Sequence, residues 1–187
     1  MWWGFRGLLV CLIGGIPLVL AQTTSAEEIV VSPKTASLAE IIFKAQAGDH
    51  LVLKGGLYQG PLLVDKALTL ESEEGAILDA GRQGTALKIL APDVTVRGLT
   101  IKNSGKQGEN FDSGIYVEQG ADNVLLENNT LQDNLFGIIL HGCKNAHVLK
   151  NHITNRADLW LNDRGNGIHI WNATGLLIEK DRKSTRL

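Results

Sequence analysis

Cysteine is nearly absent from this chain, with two among 187 residues, which excludes a disulfide-stapled scaffold. Charge of one sign is also lacking. Eighteen Lys and Arg stand against twenty Asp and Glu, a net charge of −2, so nothing marks a general nucleic-acid binder. Only one stretch is apolar enough to approach a membrane span, and it lies at the very start. What is present is a hydrophobic content of 44%, too high for a disordered chain. The length fits one domain, or part of a larger one.

Both ends read as foreign to the fold. Residues 1–26 have the form of a secretory signal peptide: Arg6 gives a short positive region, and Gly7 to Leu20 is an apolar stretch too short and badly flanked for a stable span. Val19-Leu20-Ala21 carries the small −3/−1 pattern needed for cleavage, and Ala26 is a second cleavage point. An uncleaved N-terminal anchor is the alternative. Cleavage removes Cys11 and leaves Cys143 as the single thiol. At the other end, residues 181–187 resemble the translation of a sequencing adapter and break a β-rich pattern at Ile178-Glu179-Lys180. They are expected to be a non-native tail, with residues 27–180 forming an incomplete domain.

One helix is marked. Ser37-Leu38-Ala39-Glu40 has the form of a capping box. Leu38, Ile41, Ile42 and Ala45 fall on one face, and Gly48 is the expected stop. Beyond it come short apolar runs punctuated by Gly, Asn and Asp, and the runs repeat. Leu126–Leu131 matches Val148–Ile153 with a step of 22 residues. Gly114-Ile115-Tyr116-Val117 matches Gly137-Ile138-Ile139-Leu140 with a step of 23, and Gly167-Ile168-His169-Ile170 after 30 more.

Such steps predict an all-β parallel β-helix with coils of 22–30 residues and loops inserted at fixed corners. Each strand stacks on its counterpart one coil on, about 4.8 Å away. Alternation sends Ile138 and Leu140 inward, and Ile139 and His141 outward. One coil cannot bury its own apolar face, so stacking supplies the core. Asn129 and Asn151 occupy equivalent corners and are expected to form an amide ladder. The helix covers the apolar end of the first coil and its strand edges.

The order of these features resembles the pectin-lyase-like β-helix proteins. It runs from the Ser-Leu-x-Glu helix through Ala47-Gly48-Asp49, Gly55-Gly56-Leu57-Tyr58 and Asp65–Leu70 to Ala91–Ile101. Asp133–Gly142 and Leu161–Asn172 are similar, more narrowly, to the NosD family. Those are periplasmic accessory proteins for maturation of nitrous oxide reductase. The resemblance covers residues 27–180, somewhat under half of a complete member. It implies a right-handed solenoid in the periplasm. It also implies docking on an ABC transporter of ATPase and permease, and help in assembling the reductase's copper-sulfide centre. A copper chaperone is a further implied partner. No catalysis and no firmly bound cofactor are implied, though copper is possible.

His141, Cys143, His147 and His152 lie within twelve residues. Imidazole and thiolate both suit copper, which makes His141 and Cys143 the metal candidates. Their spacing matches no recognised motif, and solvated histidines with a buried thiol are the plainer reading. Tyr116, Ile139 and His169 share one outward column; Glu118, His141 and Trp171 share the next. Exposed aromatics flanked by polar groups make Tyr116, His169 and Trp171 candidates for partner binding; ordinary sheet decoration is the alternative. Residues 157–164 are the clearest insertion, and Trp160, Asp163 and Arg164 are assigned to partner contact. A pinned loop with a local Asp163–Arg164 ion pair is the competing reading. An enzyme acting on acidic sugars would need clustered carboxylates with a basic partner. Asp112, Asp122 and Asp133 sit at turns without one, and no catalytic residue is assigned. A structural or adhesive surface protein is a third reading.

Overall fold

The computed structural model describes residues 26–34, 37–72 and 75–184. Most of the expected signal peptide, residues 1–25, and residues 185–187 of the expected tail lie outside the described residues. Three parallel sheets wind about one core. Sheet A stacks Glu28–Val31, His50–Leu53, Thr69–Ser72, Thr95–Arg97, Leu125–Glu127, His147–Leu149 and Leu177–Glu179. Sheet B stacks Gly56–Gln59, Ala76–Asp79, Thr100–Lys102, Thr130–Asn134, His152–Asn155 and Arg182–Ser184. Sheet C stacks Leu62–Val64, Leu87–Ile89, Ser113–Val117, Phe136–His141 and Ile168–Trp171. The chain visits A, B and C in turn, as the parallel β-helix expectation requires.

The register follows the repeat. Leu87, Ile115, Ile138 and Ile168 form one column. Leu51, Leu70, Val96, Leu126 and Val148 form another on sheet A. Leu78, Ile101, Leu131 and Ile153 do so on sheet B. All but Ile168 are fully buried, and each such side chain contributes roughly 1.5–3 kcal/mol by leaving water.

Corners are made by residues in the left-handed region. Between sheets A and B these are Gly98, Asn128, Lys150 and Lys180. The next residue in two of these corners is Asn129 or Asn151, and the expected ladder is present. Asn129 Oδ1 accepts from Leu99 N (3.1 Å), and its Nδ2 donates to Val96 O (2.9 Å) and to Asn151 Oδ1 (3.0 Å). Asn151 Nδ2 donates to Leu126 O and to Asp181 Oδ1, both at 2.9 Å. Between sheets C and A the left-handed residues are Asp93, Asn123, Asn145 and Gly175. There Asn123 donates to Asp93, and Asn145 to Asn123. Residues of the expected tail continue the stack, since Arg182 and Ser184 pair with His152 and Thr154.

The helix α1 (Leu38–Lys44) buries Leu38 and Ile42 over the start of the solenoid. Two details of its reading are corrected. Ser37 makes no side-chain cap bond; burial of the apolar face holds this short helix. It also stops at Ala45, before Gly48. The Asp49 carboxylate accepts from Gln46 N and Glu27 N and closes the turn instead. The strand Glu28–Val31, unread in the sequence, forms the first rung of sheet A. Among the described residues no helix is long and apolar enough to cross a membrane.

Candidate functional site

The outer face of sheet C gathers Tyr116, His141, His169 and Trp171, half of the candidate residues singled out from the sequence. Lys88, Tyr116, Ile139 and His169 form one outward column. His141 and Trp171 pair in the next. His141 Nδ1 lies 2.9 Å from Glu118 Oε1 and 3.0 Å from the Tyr116 hydroxyl. Lys88 Nζ is 3.0 Å from the other Glu118 oxygen, and 5.2 Å from the Tyr116 ring centroid. Burial opposes ionisation of Glu118, but the bond from Lys88, the Gln119 amide and His141 outweigh it and hold its carboxyl below the ordinary range. Burial, with the Glu118 charge, pushes the Tyr116 hydroxyl up.

The His141 ring stacks on Trp171 at 4.5 Å with an interplanar angle of 19°. Phe111 closes the cluster from the insertion at 103–112. Its ring centroid is 5.7 Å from Trp171 and 5.9 Å from both Phe136 and His169. It does so from a left-handed backbone, φ 53°, which is a strained state for a bulky residue. Tyr116 was expected to be exposed and is 9% exposed, and Ile139 is fully buried although it points outward. Covering side chains account for Tyr116: Lys88 and His141 lie against it. Trp171, at 43%, is the open part of the cluster.

The second assembly lies at the corner between sheets B and C. Trp160 stands 84% exposed on the insertion 157–165. Arg164 bonds to backbone carbonyls of its own loop, where the competing reading supposed a local ion pair with Asp163. Its Nε donates to Leu159 O at 2.9 Å and its Nη2 to Ala157 O at 3.2 Å, drawing the loop onto itself. Asn155 Nδ2 donates to Gly165 O and joins the loop's two ends. Asp163 lies in a short 3-10 turn, Leu161–Asp163. The residue that roots this loop, Arg156, was missed by sequence reasoning. It is 4% exposed, and a corner arginine beside an exposed loop has no sequence signal that separates it from a solvated one. Phe111 and Arg82 were missed because partnership across coils depends on loop paths that the repeat does not encode; Lys88 and Phe136 lie on sheet C strands and join the cluster through the register.

The proposed copper ligands are not brought together. Cys143 is turned into the core, fully buried, and burial pushes its thiol up. His141 faces outward on sheet C, while His147 lies on sheet A and His152 on sheet B. Among the described residues no three His, Cys, Asp or Glu side chains are grouped to hold a metal ion. The acidic residues at turns have structural partners. Asp112 accepts from Gln107 N at 2.9 Å and Asp122 from Lys144 N at 2.8 Å, and Asp133 occupies a left-handed corner. What the geometry offers is a rigid wall with fixed aromatic and hydrogen-bonding groups.

Comparison with known proteins fits this architecture. Residues 75–183 match the family described as "Right handed beta helix region". The chain is 34% identical over 141 residues to the "Probable ABC transporter binding protein NosD" of Pseudomonas aeruginosa, covering 75% of this chain and 33% of that protein. It is 33% identical over 126 residues to the protein of the same name from Stutzerimonas stutzeri, covering 67% of this chain and 29% of that one. The chain therefore spans about a third of the length of these relatives. A further Pseudomonas aeruginosa protein of that name is 30% identical over 87 residues, 46% of this chain and 80% of that protein. Among solved structures, a pectin methylesterase in complex with a hexasaccharide superposes with a TM-score of 0.51 at 16% identity. That match covers 84% of this chain and 67% of the esterase, and speaks to the fold alone. From the stacked register, the family match and these relatives together, the chain belongs to the right-handed parallel β-helix family as a NosD-like member.

Proposed function

We propose that this chain forms part of a periplasmic accessory protein for maturation of nitrous oxide reductase. In this reading it acts beside an ABC transporter of ATPase and permease and helps assemble the reductase's copper-sulfide centre. The observation that carries the reading is the similarity to relatives named as ABC transporter binding proteins. The wall geometry supports docking over catalysis. The ionisable groups on sheet C are engaged with one another: Lys88 with Glu118, Glu118 with His141, His141 with Tyr116. Trp171 remains open beside them, and an exposed ring framed by polar neighbours is the usual make-up of a binding hot spot. Copper enters this reading as the client's metal, and a copper chaperone as a further partner.

The test is complementation in a denitrifying bacterium lacking its own copy, with the full-length protein carrying His169→Ala and Trp171→Ala. Lost hot-spot residues cost more than about 2 kcal/mol, or roughly thirtyfold in affinity. Copurification with the transporter and the copper content of the reductase are both expected to fall. Wild-type copurification together with a fully loaded reductase would refute the role of this face.

A further inference from the structure

We propose that Arg156, together with Asp158 and Arg82, is the device that holds the 157–165 insertion rigid and so presents Trp160 for docking. This rests on the reading of that insertion as a partner contact.

The geometry begins with corner lengths. Between sheets B and C the chain makes a long excursion at 103–112, a tight turn at Leu135, and a long excursion again at 156–167. The tight corner leaves space between the two excursions, and the Arg156 side chain bridges it. Its Nη1 donates to Ser104 O and Gly105 O, both at 3.1 Å, past the intervening coil. Its Nε and Nη2 hold the two oxygens of Asp158 at 2.9 and 2.7 Å. Asp158 in turn receives Arg82 Nη1 at 3.1 Å, from a corner three coils back. Three strand spacings amount to about 14 Å, so one carboxylate ties the loop to a distant part of the wall.

A cation as buried as this one is tolerated only when its donors are matched, and here the fork geometry of the guanidinium is used on both sides. The contacts do not serve the solenoid's own strands, whose backbone groups are already paired along each sheet. They join the two excursions, Ser104 and Gly105 in one to Asp158 in the other. Trp160 makes its approach from a segment fastened at its root by Arg156, across its neck by Asn155 and Gly165, and within by Arg164. An anchor ordered in advance loses less freedom on docking.

The test uses the full-length protein with Asp158→Asn, Arg156→Lys and, separately, Trp160→Ala. Asp158 is half exposed, so Asp158→Asn keeps the fold if Arg156→Lys does not. Amide exchange over 157–164 is expected to quicken by about tenfold in both strut variants, the ratio for one charge-assisted bond, with exchange in Phe136–His141 unchanged. Affinity for the detergent-solubilised ABC transporter is expected to fall by about tenfold in the same two. Trp160→Ala is expected to lose affinity with no change in exchange. Unaltered exchange in Asp158→Asn overturns the strut. Quickened exchange with wild-type affinity, when Trp160→Ala does lose affinity, overturns its positioning role. Wild-type affinity in Trp160→Ala overturns the partner-contact reading alone, and the exchange arm then decides the ordering role by itself.

Discussion

Asn129 makes bonds that the corner backbone around it cannot make alone. Its side chain satisfies Leu99 N and Val96 O, both buried. Asn129→Ala orphans both, and each buried orphan costs about 1–3 kcal/mol. A stability loss of roughly 2–5 kcal/mol is expected in urea denaturation. Asp181 holds the equivalent place one coil beyond Asn151, where the matching carbonyl is that of Val148. Its Oδ1 accepts from Asn151 N and Nδ2, but its buried Oδ2 has no partner. An amide would donate there; a carboxylate cannot. Burial pushes the Asp181 carboxyl up, against the two bonds from Asn151. A raised folded pKa means that the protonated form is favoured by folding. Its stabilisation is full below the unfolded value and lost as pH rises through the folded one. Asp181→Asn is therefore expected to stabilise by about 1 kcal/mol at neutral pH and by little at pH 3. Thermal melts at the two pH values separate the outcomes. At this scale the ladder was legible, because Asn129 and Asn151 align at the repeat step. The left-handed state of Lys150 was not, because lysine has no turn preference that would announce it.

At the level of elements, the Gly at matching places at the start of the last three sheet C strands, Gly114, Gly137 and Gly167, has a spatial cause. A Cβ on Gly137 would meet the backbone oxygen of Gly167 in the next coil and the Ile153 side chain. Gly114 stands in the same relation to Gly137. Backbone has to move to admit a methyl group, so Gly137→Ala is expected to destabilise by about 2 kcal/mol or more. A lowered midpoint with an unchanged denaturant slope would show it. The insertion 157–165 gives a pH-dependent counterpart. The Arg156 guanidinium, and then Arg82, hold the Asp158 carboxyl down at about 2. A depressed folded pKa stabilises above the unfolded value near 3.9 and fails as pH falls through the folded one. The loop is expected to stay fastened from neutral pH to about pH 4 and to loosen between there and pH 2, seen as rising mobility of Trp160 fluorescence in a Trp171→Phe background. The apolar face of α1 could be read from spacing, since Leu38, Ile42 and Ala45 are buried. Its cap could not, because a Ser-x-x-Glu pattern does not say whether the hydroxyl finds its amide. The path of the 103–112 excursion across sheet C was equally illegible, and it decides which outward residues are covered.

Across the whole molecule the repeat was the legible quantity, because a step of 22–30 residues is one turn of the wall and stacks Ile115, Ile138 and Ile168. Stability in such an array is a sum over neighbouring coils. Interior coils have two neighbours, as Ser113–Val117 and Phe136–His141 do on sheet C, whereas Leu62–Val64 has a strand on one side only among the described residues. Amides of Ser113–Val117 and Phe136–His141 are thus expected to exchange more slowly than those of Leu62–Val64. Uniform protection along the axis would contradict additive stacking.

The tight turn at Leu135 carries one more implication. Corner length can change from coil to coil without disturbing the strands on either side, so the wall behaves as a graduated scale. Lengthening or shortening one excursion alters what protrudes at a given mark, while the marks themselves stay one strand spacing apart. A partner gripping both Trp160 and the 103–112 excursion, two coils apart, would be measuring along that scale, and adding a single coil between two grips would shift one against the other by a fixed increment of about 4.8 Å.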